Sequence, residues 1–120
     1  MENSQARVEI RRQGEVIILE LLDNEILDET TINDISDTLF SVVAEHSPVK
    51  MVLSFAQVKH LSSMALGTLI RLNKRIDEGG GALKLCEIAP SLHEIFVITK
   101  LNKLFELYER EGTAVSSFNE

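Results

Sequence analysis

The chain has 120 residues, enough for one domain whose core needs no disulfide or metal to hold it together. Hydrophobic residues make up 44% and charged residues 26%, an ordinary globular balance. With 12 basic against 19 acidic residues the formal net charge is −7, which opposes non-specific binding to nucleic acid or anionic membrane, since both need positive charge to displace counterions.

Arg7 to Arg12 alternates, with Val8 and Ile10 on one face, and reads as a half-exposed strand. Gln13-Gly14 suits a turn, and Glu15 to Leu22 is a more apolar strand, so the elements open on a hairpin. From Asp28 the period changes: Ile32, Ile35, Leu39 and Val42 or Val43 recur three or four apart, an amphipathic helix with Asp28 as its N-cap. Ser47-Pro48 ends it, because the residue before proline is pushed out of the helical region. Val49 to Phe55 is a third strand, and Ala56 to Leu61 its exit.

A second helix is expected over Ser63 to Glu78, with Leu66, Leu69, Ile70 and Ile76 inward and Arg71, Lys74, Arg75 and Asp77 outward. Three glycines, Gly79 to Gly81, stop it. A strand follows over Ala82 to Ile88, then a short helix from Pro90 to about Thr99. Leu104 to Tyr108 reads as a last strand and Gly112 to Phe118 as a terminal helix. The pattern predicts an α/β fold spanning about residues 7–118: a hairpin, then β-α-β-α-β units, in a mixed sheet with packed helices. No repeat or linker divides it.

The residues suited to chemistry are sparse. His46, His60 and His93 are widely spaced and offer no metal-binding pair, so no metal and no cofactor are expected. The triple glycine follows a helix and leads into a strand, the reverse of a phosphate loop. Asp34, Asp37, Glu106, Glu109 and Glu111 read as solvated surface, and no acid–base set argues for an enzyme. Cys86, the one cysteine, lies in an apolar strand and reads as core filler in a reducing compartment. Without a secretion-signal stretch near the first residues or a bilayer-spanning run, the expected location is the cytoplasm.

Ser62 and Ser63 stand out by position, directly before the second helix. Two roles fit there: a cap, whose oxygen accepts N–H bonds from the first turn, or a phosphoacceptor, whose dianion meets free N–H groups and the positive helix end. His60, just upstream, is either a solvated loop residue or a contact for that phosphate or a partner.

The segment Val52-Leu53-Ser54-Phe55-Ala56-Gln57-Val58, followed by Leu61-Ser62-Ser63-Met64-Ala65-Leu66-Gly67, resembles the core signature of STAS domains of the anti-sigma factor antagonist kind. The likeness continues through Arg71 to Arg75, Leu83 to Cys86, Ala89-Pro90-Ser91 and Ile98 to Phe105. Alignment on Leu66-Gly67 puts the family's phosphorylated serine at Ser63, and Asp28 resembles its acidic residue near that site. Ser62 stands where the motif has aspartate, Met64 where it has serine or threonine, Ala65 where it has glycine, and Ser54 where an acid is common. The resemblance implies a non-enzymatic binding switch: the unphosphorylated protein binds an anti-sigma factor, often itself a serine kinase, and frees a sigma factor. Phosphorylation parts the complex, a phosphatase reverses it, and ATP belongs to the kinase. A STAS scaffold that is never phosphorylated, and a small-ligand sensor using the groove around Asp28 and Ser63, are the alternatives.

Overall fold

The computed structural model describes residues 7–119. Strand β1 (Val8–Gln13) turns through Gly14 into β2 (Val16–Leu21), and the pair is antiparallel, with Gln13 opposite Val16. Gly14 has φ +65°, the left-handed value that a two-residue hairpin turn asks of its first central residue and glycine adopts without strain. After the short β3 (Glu25–Ile26) come α1 (Glu29–Glu45), β4 (Lys50–Ser54), β5 (His60–Leu61), α2 (Ser63–Glu78), β6 (Ala82–Cys86), α3 (Pro90–Ile98), a 3₁₀ turn (Leu101–Lys103), β7 (Glu106–Tyr108) and α4 (Glu111–Ser117).

The main sheet has the order β1-β2-β4-β6-β7, and every pair after the hairpin is parallel. It grows in one direction, so right-handed crossovers set α1, α2 and α3 on the same face. That face holds most of the core: Ile17 and Leu19 beside Met51 and Leu53, beside Leu83 and Leu85, under Ile32, Leu39, Leu72 and Phe96. The other face would lie bare without α4, whose Ala114 and Val115 cover Val16, Ile18, Val52 and Cys86. Burial on both faces is why β2 and β4 carry unbroken apolar runs, Val16 to Leu19 and Met51 to Leu53. Among the described residues no helix is long and apolar enough to cross a membrane.

Two expectations need correction. Ile70 is 38% exposed and Leu72 is fully buried, because the inner stripe of α2 runs through Ala65, Thr68, Leu69, Leu72 and Ile76. Glu111 is not simply solvated: both its carboxylate oxygens accept from Arg11 at 2.9 Å, and its backbone N–H donates to the Glu87 carboxylate at 2.8 Å. Ile10 shares the face of buried Val8, as expected of a half-exposed strand, and is 50% exposed because β1 is the sheet edge.

The glycine stop forms a full helix-ending motif. Gly81 N–H donates to the Ile76 carbonyl at 2.9 Å and Gly80 N–H to that of Asp77 at 3.0 Å, with Gly80 at φ +84°.

Candidate functional site

Neighbouring strands β3 and β5 pair in parallel, Glu25 with His60 and Ile26 with Leu61. Two residues beyond the last pair lie Asp28 on one chain segment and Ser63 on the other. The starts of α1 and α2 therefore come side by side. Backbone bonds fix the approach: Lys59 and His60 N–H donate to the Asn24 carbonyl, and Ser62 N–H donates to that of Ile26 at 3.1 Å.

Asp28 caps α1. Its Oδ2 accepts from the Thr31 N–H at 3.0 Å and its Oδ1 from the Thr31 hydroxyl at 2.7 Å. These two bonds, with a smaller contribution from the Arg7 charge, hold its carboxyl below the usual aspartate range. Ser62 caps α2, its Oγ accepting from the Ala65 N–H at 3.2 Å. The hydroxyl thus does for the helix what an aspartate would do at this position.

Ser63 is the first helical residue and is exposed, so a group added to its Oγ would enter solvent beside the still open N–H groups of the first turn. Met64 (46% exposed) and Leu27 (48% exposed) place apolar surface at the same end. His60 is exposed as well, and with Asp23, Asn24, Glu25 and Lys59 it lines a shallow open groove that neither Asp28 nor Ser63 enters. Beneath the site, between α1 and α2, lies an apolar cavity of about 20 Å³ walled by Ile26, Leu39, Phe55 and Leu69 among others. That is room for about one water, not a metabolite. Among the described residues no three His, Cys, Asp or Glu side chains gather as a metal-holding group.

The expected site residues Asp28, His60, Ser62, Ser63 and Met64 thus lie at one end of the molecule. Reading the sequence missed Leu27 and the strand pair that builds the site. Each of those strands is two residues long, too short for an alternating pattern to register.

The profile of the STAS domain matches residues 7–114. An anti-sigma F factor antagonist of Paenibacillus polymyxa is 23% identical over 110 residues, 92% of each chain. Among solved structures, an anti-sigma-factor antagonist (STAS) domain protein from Planctomyces limnophilus superposes with a TM-score of 0.86 at 20% identity, covering 94% of this chain and 98% of its own. The Bacillus cell fate determinant SpoIIAA in its phosphorylated form does so with a TM-score of 0.70 at 13% identity, covering 92% and 98%. With the profile spanning nearly all the described residues and the predicted element order present throughout, this chain belongs to the STAS domain family, among relatives of the anti-sigma factor antagonist kind.

Proposed function

We propose that the chain is a cytoplasmic anti-sigma factor antagonist, without catalysis of its own, whose binding to an anti-sigma factor that is also a serine kinase is switched by phosphorylation of Ser63. The observation that carries this reading is an exposed Ser63 on the first turn of α2, level with Asp28 and flanked by Leu27 and Met64. The apolar pair would give the unmodified protein a surface to bury against the partner. A phosphate at Ser63 brings about −1.5 to −2 charges, which the open N–H groups and the helix dipole tolerate within the folded chain. Against a docked partner the same dianion must be desolvated, which parts the complex. Ser62 stays the cap in both states.

Phosphotransfer from the native kinase, with the labelled site found by mass spectrometry, tests the reading. Label is expected on Ser63. Ser63→Ala should bind the partner and resist phosphorylation, Ser63→Asp should bind more weakly, and Ser62→Asp should make Ser63 a better substrate. Label on Ser62, or none while binding persists, would favour the second reading, an unphosphorylated scaffold. That reading draws on Ser62 standing where the family motif has aspartate.

A further inference from the structure

Away from the helix starts, strand β1 forms one open edge of the sheet and is six residues long, against three for β7 at the other edge. One bond fixes its phase. Leu22 N–H donates to the Arg7 carbonyl at 2.9 Å, so Arg7 and Leu22 are a hydrogen-bonded pair. Such pairs alternate in an antiparallel ladder, so Glu9, Arg11 and Gln13 also turn their backbone groups toward β2. Val8, Ile10 and Arg12 turn theirs to the open edge. The side chains of these three share the face that carries α1, where a groove between the strand and the helix is lined by Val8, Ile10, Asp37, Thr38 and Ser41, among others.

We propose that this edge binds a second copy of the chain, β1 against β1, antiparallel about a two-fold axis through Ile10, joining two five-stranded sheets into one. The pleat allows only registers that oppose residues of like parity. An axis at Glu9 would set Arg7 against Arg11 of the second copy, and an axis at Arg11 would set Arg11 against itself. The axis at Ile10 opposes Glu9 to Arg11 twice and packs Ile10, half exposed in the single chain, against its own copy. It also sets Arg12 opposite Val8 of the second copy. There α1 runs beside the strand: Arg7 Nε lies 3.5 Å from Asp34, and one helical turn further on Asp37 borders the groove at Val8. Arg12, exposed and in no ion pair among the described residues, reaches Asp37 of the second copy. Ile10, Arg12 and Asp37 are not among the residues of the Ser63 site, so variants at these positions test the pairing apart from the switch.

Analytical ultracentrifugation of the full chain should show a concentration-dependent dimer of 13.4 kDa subunits. Ile10→Pro removes an N–H that points away from β2, so it should abolish the dimer and leave the circular dichroism spectrum unchanged. Arg12→Glu and Asp37→Arg should each weaken the dimer about tenfold, from two symmetric contacts each worth up to about a factor of five. The double variant should recover it. A wild type that remains monomeric at millimolar concentration, or a dimer indifferent to both Ile10→Pro and Arg12→Glu, overturns the proposal.

Discussion

The two adjacent serines at the start of α2 have unequal duties. Ser62 Oγ holds the Ala65 N–H, so Ser62→Ala should cost about 0.5–2 kcal/mol of stability, the usual loss for a cap. Ser63 is exposed, and Ser63→Ala should stay within about 0.5 kcal/mol of wild type. Urea unfolding of both variants measures the difference, and equal losses would contradict the capping assignment. Asp28 gives a pH signature. Its folded-state carboxyl titrates below the unfolded value of about 3.9, so its contribution to stability is full above that value and is lost as pH falls through the lower one. The Thr31 hydroxyl is the largest cause, so Thr31→Val should move the Asp28 midpoint upward in a carbon-detected NMR titration. Both caps were legible as residue types before helical runs. Which of the two serines would cap was not, because that depends on backbone angles: Ser62 sits at φ −86°, ψ 168°, outside the helix.

At the scale of elements, the glycines after α2 illustrate what a sequence conceals. Three in a row announce a helix stop, yet their roles differ. A Cβ on Gly81 would lie 2.3 Å from the Val49 carbonyl oxygen and 2.7 Å from its nitrogen, both backbone atoms that cannot move aside without shifting the entry to β4. On Gly79 it would crowd the Ser47 hydroxyl, at 3.0 Å, and touch the Arg75 and Ile76 carbonyls at an ordinary 3.7 Å. Gly81→Ala should therefore cost about 1–3 kcal/mol, as overpacking does, and Gly79→Ala clearly less. Chemical denaturation of the two variants checks the order. The long elements were legible because an amphipathic stripe spans α1 and α2, alternation spans β1 and an apolar run marks β2. The inner face of α2 was misplaced by part of a turn, since Ile70 and Leu72 are both apolar and only the neighbouring helix decides between them. The β3–β5 pair was hidden for a different reason: it is made by a contact distant in sequence.

For the molecule as a whole, the topology leaves one sheet face to α4, a helix of seven residues, too short to hold its shape unaided. It is fastened at both ends. At its start Arg11 grips the Glu111 carboxylate, and at its end the Lys84 ammonium bonds to Ser117 and lies 4.1 Å from the Phe118 ring centroid. Beneath it Cys86 is fully buried, its thiol pushed up to about 12 mainly by that burial. At pH 7 roughly one sulfur in 10⁵ would be the reactive thiolate while the helix is seated. Once the helix lifts, the thiol returns to an ordinary acidity and meets the solvent. Arg11→Ala, which frees one end, should thus speed labelling by a thiol reagent without altering the far-ultraviolet circular dichroism, and labelling at the wild-type rate would show that the grip is idle. The lone sulfur becomes a clock built into the chain, each modified molecule recording one excursion of the last helix from the sheet.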